Sequence, residues 1–129
     1  MFAPRLGGHS MLEDGIYALR FAASHDGEAE DGSGLAVLRE GKVLGSDPLG
    51  AVFTGTYEFD PARQLNKVRL RLDVPADGVL VTGYAAGPSG ATLDIVGAFA
   101  GTSAETTSFI QIAGAPVGVQ IRYLGPLPN

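Results

Sequence analysis

The chain has 129 residues, a formal net charge of −5, no cysteine, 19 glycines and 8 prolines. Its length suits one domain with one core, and 45% hydrophobic with 18% charged residues predicts a folded chain rather than a disordered one. The absence of cysteine excludes disulfides, thiol nucleophiles and thiolate zinc sites. The negative charge argues against direct contact with nucleic-acid phosphates.

Residues 1–10 are predicted to form a flexible N-terminal extension ahead of one domain that spans residues 11–129. No apolar run follows Arg5, so we expect no secretion signal, and Met11 is an alternative to Met1 as the translation start. No apolar segment comes close to the length of about 20 residues that a membrane-spanning helix needs. We therefore expect a cytoplasmic protein that makes no contact with a membrane.

The strand pattern is clearest in the segment 67–74. Aliphatic residues occupy every second position there, namely Val68, Leu70, Leu72 and Val74. Side chains on a strand point alternately to two faces, so the pattern predicts a strand with one core face and one charged, wet face. Similar segments between turn residues predict eight strands, at 15–22, 34–39, 42–44, 51–59, 67–74, 91–100, 109–113 and 117–123.

The connections add detail to this pattern. Glu40-Gly41 predicts a tight hairpin turn, and Gly55 is predicted to leave room for bulky inward groups of neighbouring strands. A polar loop is expected after the first strand, while 79–84 is either a short strand or a loop packed on the core. Short strands at this spacing predict an all-β, antiparallel meander sheet or small barrel, and closure would remove the exposed edges.

Catalytic chemistry is not predicted. The two histidines are His9, in the extension, and His25, in the expected loop beside Ser24 and Asp26. Catalytic triads are assembled from distant segments rather than from adjacent residues, so we read His25 as a solvated loop residue. No metal site or cofactor is predicted either, because a calcium loop beginning at Asp26 would need its closing ligand at Val37.

Two groups of residues are candidates for binding. The densest acidic cluster is predicted to be a solvated loop or, in a functional reading, a contact for a protein partner; it contains Asp26, Glu28, Glu30 and Asp31. Seven aromatic residues would point into a barrel, namely Tyr17, Phe21, Phe53, Tyr57, Phe59, Phe99 and Tyr123. We expect them to fill the interior, with a cavity for one small apolar ligand as the alternative.

Three segments taken together resemble the GrlR-like family, small bacterial proteins named for a negative regulator of type III secretion. They are 13–17 (EDGIY), 41–47 (GKVLGSD) and 52–57 (VFTGTY), and the likeness covers residues 11–124. The resemblance implies an eight-stranded, up-and-down, lipocalin-like (calycin) barrel.

The resemblance also implies a function. The founding regulator is a homodimer that sequesters a DNA-binding transcriptional activator through an acidic loop after its fourth strand. The corresponding segment here is 58–64, where Glu58 and Asp60 are acidic and Arg63 is basic. Glu58 and Asp60 therefore join the acidic cluster as candidate partner contacts. The expected function is non-enzymatic regulation through protein binding by a homodimer, and the alternative is a carrier of a small apolar ligand.

Overall fold

The computed structural model describes residues 12–25, 28–80, 85–99, 105–112 and 114–128. These residues form eight β-strands, and no helix occurs among them. The predicted extension, residues 1–10, lies outside the described part of the chain. The strands are β1 (Gly15–His25), β2 (Glu28–Arg39), β3 (Lys42–Ser46), β4 (Val52–Asp60), β5 (Leu65–Val74), β6 (Ala91–Phe99), β7 (Glu105–Ile112) and β8 (Ala115–Gly125).

All eight strands belong to one antiparallel sheet in the order β6-β5-β4-β3-β2-β1-β8-β7. The two outer strands of this order, β6 and β7, lie side by side, because the Ser108 hydroxyl donates a hydrogen bond to the Ala98 carbonyl and Ile110 packs over Gly97. The sheet thus curls into a nearly closed barrel. The predicted all-β, eight-stranded, up-and-down barrel is confirmed, and its form is consistent with a lipocalin-like fold.

The barrel has two ends, which we name by a residue at each. The Asp14 end carries the β2–β3 and β4–β5 turns and the last residues of β8. The Asp47 end carries the β1–β2 and β3–β4 turns and the 75–90 connection. At the Asp47 end, the β3–β4 turn is closed by the Asp47 carboxylate, which accepts hydrogen bonds from the backbone N–H groups of Leu49 and Ala51, each at 2.9 Å.

The alternation predicted for β5 is present. The aliphatic side chains of this strand are buried or partly buried, and its charged ones are exposed on the outer face, namely Lys67, Arg69, Arg71 and Asp73. The same division places one continuous apolar core inside the barrel. Burial of these aliphatic faces supplies the main stabilising term of the fold, as it does in other small domains.

The prediction of a polar loop after the first strand is wrong. β1 continues to His25 and β2 begins at Glu28, in one ladder that pairs these two residues. Glu28, Glu30 and Asp31 are therefore strand residues rather than loop residues. Backbone hydrogen bonds hold a long hairpin together whatever its side chains are, so a polar composition did not mark the end of the strand.

The segment 79–84 is a connection rather than a ninth strand in its described part. Val79 makes a single bridge with Ala85, and Leu80 packs against the core. Residues 81–84 lie outside the described part of the chain. Two backbone hydrogen bonds close the base of the connection, from Asp77 N–H to the Gly87 carbonyl at 2.7 Å and from Ala86 N–H to the Gly78 carbonyl at 2.9 Å.

The β2–β3 turn confirms the hairpin predicted at Glu40-Gly41. Both residues have positive φ, 49° and 81°, and Arg39 pairs with Lys42 across the turn. Positive φ at both central positions is the geometry of a type I′ turn, whose twist matches that of the strands it joins.

Gly55 is required for a reason other than the predicted one. A Cβ atom at this position would fall on the carbonyl oxygen of Arg69 and lie 2.9 Å from the Cα atom of Leu70, both in β5. The space that glycine leaves is therefore taken by the backbone of the next strand, not by bulky side chains. The close approach of β4 and β5 depends on it.

We expect Gly55→Ala to lower the free energy of unfolding by at least about 2 kcal/mol, because the added methyl group forces two backbone segments apart. Gly125→Ala is the matched control, since a Cβ atom there has nothing within 4 Å. Urea unfolding followed by circular dichroism measures both. Equal stability of the two variants would contradict the close approach.

Candidate functional site

An apolar cavity of about 120 Å³ lies inside the barrel. Side chains from all eight strands line it, together with Leu12 at the Asp14 end and Leu80 at the Asp47 end, and its wall is almost wholly apolar. Five of the seven predicted aromatic residues contribute to the wall, namely Tyr17, Phe21, Phe53, Tyr57 and Phe99. The expected filling of the interior is therefore incomplete.

The other two aromatic residues are not part of the cavity wall. Tyr123 packs its ring edge-on against Tyr17, with ring centroids 5.4 Å apart. Phe59 is partly buried near the end of β4, where it pairs in register with Asn66. Both residues support the Asp14 end of the barrel instead.

Asn66 is a buried polar residue that the sequence analysis did not single out. Its side-chain oxygen accepts a hydrogen bond from the Leu12 backbone N–H at 3.1 Å, and its side-chain amide donates one to the Phe99 carbonyl at 3.3 Å. These bonds tie the start of the described chain to β5 and β6 and hold Leu12 over the cavity. Asn66 lies two and four residues before Val68 and Leu70 in β5, so it shares their inward face. This spacing is the feature of the sequence that could have identified Asn66 as a buried residue.

A hydrogen-bonded group at the rim joins the three segments on which the family resemblance depends. The Asp14 carboxylate accepts hydrogen bonds from the Tyr57 hydroxyl at 2.7 Å and from the Glu40 backbone N–H at 3.2 Å. The Tyr57 N–H donates to the Gly41 carbonyl at 2.9 Å, and the Tyr17 hydroxyl donates to the Glu13 carbonyl at 2.7 Å. We call this group the Asp14 cluster.

The phenols of the Asp14 cluster are held in their neutral form. Burial and, second to it, the hydrogen bond to the Asp14 carboxylate together raise the pKa of Tyr57 to about 12, against the lowering effect of the Gly41 backbone. Burial also raises the pKa of Tyr17 above its usual range, against the effect of its hydrogen bond to the Glu13 backbone. Both hydroxyls therefore act as hydrogen-bond donors at neutral pH, which is the role that each has at the rim.

The candidate partner contacts fall at opposite ends of the barrel. Glu58 and Asp60 lie at the Asp14 end, where β4 ends, whereas Asp31 is exposed on β2 toward the Asp47 end. Glu28 and Glu30 lie on β2 near Asp31, and their side chains are outside the described part of the structure, as is all of Asp26. The three candidates with described side chains, Asp31, Glu58 and Asp60, therefore do not form one contact surface.

Asp60 has a structural role in the β4–β5 turn. Its carboxylate accepts hydrogen bonds from the backbone N–H groups of Ala62 and Arg63 and lies 3.3 Å from the Lys67 ammonium. Desolvation opposes the ionisation of Asp60, but the hydrogen bonds and the Lys67 charge outweigh it and lower the pKa of the carboxyl from its usual value. Glu58 is exposed and pairs in register with Lys67.

The side chains of both histidines lie outside the described part of the structure. His25 is the last residue of β1, and His9 lies outside the described residues. Among the residues described, no three histidine, aspartate or glutamate side chains are grouped so that they could hold a metal ion. In the same ranges, no helix has the length and apolar character needed to cross a bilayer.

Comparison with known proteins gives no further assignment. No protein-family model matches the chain, and no curated protein matches it at a significant level. Functional inference therefore depends on the cavity, the surface and the three segments that meet in the Asp14 cluster.

We expect the neutral state of Tyr57 to be visible in an alkaline titration. Because the folded pKa lies above the ordinary tyrosine value of 10.0, this residue stabilises the fold below pH 10 and loses that contribution as the pH rises through about 12. Tyrosinate absorbance at 295 nm should show a step near pH 12 that Tyr57→Phe removes and Asp14→Asn moves to lower pH. A step that survives in Tyr57→Phe would contradict the assignment.

Proposed function

We propose that this protein is a non-enzymatic, cytoplasmic regulatory domain of the GrlR-like type, which acts by binding a transcriptional regulator. The observation that carries the proposal is the Asp14 cluster. Segments 13–17, 41–47 and 52–57 lie apart in the chain, yet Asp14, Gly41 and Tyr57 are joined by hydrogen bonds. The likeness to the family thus refers to one structural unit of the barrel rather than to three separate matches.

The charge of the chain supports a protein partner. A net charge of −5 disfavours direct binding to DNA, so an effect on transcription would pass through a DNA-binding protein. An acidic surface attracts a basic domain and speeds its encounter, and DNA-binding domains are typically basic. The regulated process that the resemblance implies is type III secretion, with this chain as the negative regulator.

Among the candidate contacts whose side chains the structure describes, two carboxylates are exposed. Asp60 is engaged by its own turn, while Glu58 and Asp31 are exposed at opposite ends of the barrel. Glu58 stands beside exposed basic residues of β5, Lys67 and Arg69. A partner at the Asp14 end would therefore meet a surface of mixed charge.

The test is capture of the regulator followed by a DNA-release assay. Tagged protein should recover a DNA-binding transcriptional regulator from the producing bacterium, and the purified protein should release that regulator from its promoter fragment. Glu58→Lys should weaken release about tenfold if Glu58 is a contact that is desolvated in the complex, since such charge pairs contribute strongly to affinity. Asp94→Lys, at an exposed acidic position of β6, is the control with the same charge change.

Failure of this proposal has a clear signature. It would be overturned if no transcriptional regulator is recovered and deletion of the gene leaves the expression of secretion genes unchanged. Equal release by both lysine variants would instead remove Glu58 from the contact.

The cavity favours a second candidate function, that of a carrier for a small apolar ligand. A cavity of about 120 Å³ is close in size to apolar cavities of about 150 Å³ that stay dry and bind benzene. Because the wall is almost wholly apolar, a ligand inside it would be uncharged and would gain affinity from burial alone. A small ring or a short alkyl chain fits this description.

Benzene is a suitable probe of this second function. It should raise the melting temperature of the wild-type protein and have little effect on Val68→Phe, whose larger side chain occupies part of the cavity. Arg69→Ala, on the outer face of the same strand, is the control that should respond like the wild type. No shift of the wild-type protein at saturating benzene would overturn the carrier function.

A further inference from the structure

The outer face of the barrel is not uniformly polar. β5 presents charged side chains to solvent, whereas β4, β3 and β2, the next three strands of the sheet, expose large apolar ones. Leu44 is 57% exposed, Leu35 is 54% exposed and Val52 is 37% exposed. Exposed apolar side chains that cluster on the surface of a protein often mark an interaction site.

The strand registers show that these side chains are neighbours. Leu44 pairs with Val37 across β2 and β3, while Leu35 and Val52 both pair with Ser46 from its two sides. Leu35, Val37, Leu44 and Val52 therefore surround the exposed Ser46 on the outer face, and we call these four residues the β2–β4 face. It lies outside the barrel, so the cavity does not account for it.

The charges at the ends of the β2–β4 face have opposite signs. Asp31 and Arg39 are both exposed on β2, and each is four residues from Leu35. Even spacing puts all three side chains on the same face of the strand. Lys42, which pairs with Arg39 and is also exposed, adds to the basic end. Along β2 the face thus runs from acidic, through apolar, to basic.

We propose that a second copy of this chain docks on the β2–β4 face. The two copies are related by a two-fold axis that lies in the interface, at right angles to β2 and over Leu35. Such an axis reverses the strand direction, so a residue a given distance before Leu35 meets the residue the same distance after it. Asp31 of each copy then faces Arg39 of the other, and Leu35 packs on its own counterpart. The face is complementary to itself in this orientation and in no parallel one.

The inference rests on the homodimer that the resemblance implies, and it adds the face and its symmetry. A different protein with an apolar surface is the competing occupant of the same face. The charges of such a partner need not follow those of β2 in reverse order. The experiment therefore tests this reversed order.

The experiment combines two single variants. Asp31→Arg alone and Arg39→Asp alone should each weaken self-association about tenfold in analytical ultracentrifugation, because both symmetric charge pairs become repulsive. An equimolar mixture of the two variants should regain near wild-type affinity, since an all-basic face then meets an all-acidic one. Native mass spectrometry of a mass-labelled mixture should show the mixed dimer in excess of the statistical half.

Leu44→Asp and Val96→Asp form the apolar test pair. Val96 is 63% exposed on β6, away from the β2–β4 face. Leu44→Asp should abolish the dimer and Val96→Asp should leave it unchanged, with circular dichroism showing that both variants remain folded.

A monomeric wild-type protein at about 100 μM, a mixture without preference for the mixed dimer, or a dimer sensitive to Val96→Asp and not to Leu44→Asp would each overturn the proposal. Capture of a transcriptional regulator is measured separately. The dimer proposal can therefore fail while the proposed function stands, and the proposed function can fail while the dimer proposal stands.

Discussion

The continuous antiparallel ladder is the constraint on which the rest of the structure depends. Each strand from β6 to β7 is hydrogen-bonded to the next, so the side of one strand that faces inward fixes the inward side of all the others. A slip of one residue in any pair would turn a complete row of aliphatic side chains toward water. The type I′ turn at Glu40-Gly41 and the close approach at Gly55 hold two of these registers in place.

The same constraint explains why the Asp14 end is the polar end of an otherwise apolar interior. The N–H group of Leu12, the rim carboxylate of Asp14 and the phenol of Tyr57 all need partners where the ladder stops. Asn66 satisfies the first, and the Asp14 cluster satisfies the others. These polar groups thus lie together at one rim, and the cavity below them has an apolar wall.

Much of this fold is readable from the sequence because the signal has a period of two. Strands with one wet face, such as β5, and a turn with Gly at the second central position carry that signal in a few residues. The extension of β1 and β2 to His25 and Glu28 was not readable, since a hairpin that rises beyond the core keeps its backbone pairing without an apolar face. Local composition cannot distinguish such a hairpin from a loop.

The site is less predictable than the fold for a physical reason. Alternation identifies inward positions, and five of the seven aromatic residues it selects do line the cavity. It does not measure how much volume the inward side chains leave, nor where along the barrel each one lies, so Phe59 and Tyr123 were not separable from the others. Likewise, the acidic residues were grouped by their nearness in the chain, although Asp31 and Glu58 are separated by the length of the barrel.

The join between β6 and β7 gives the barrel a preferred line of opening. Elsewhere the wall is a ladder of backbone hydrogen bonds, but the described contacts across this join are a side-chain hydrogen bond from Ser108 and the packing of Ile110 on Gly97. Among the described residues, no backbone pairing joins these two strands, whereas every other pair of neighbours is held by a row of backbone hydrogen bonds. The protein is in this sense a rolled strip with a seam rather than a closed tube, and the seam is held by side chains.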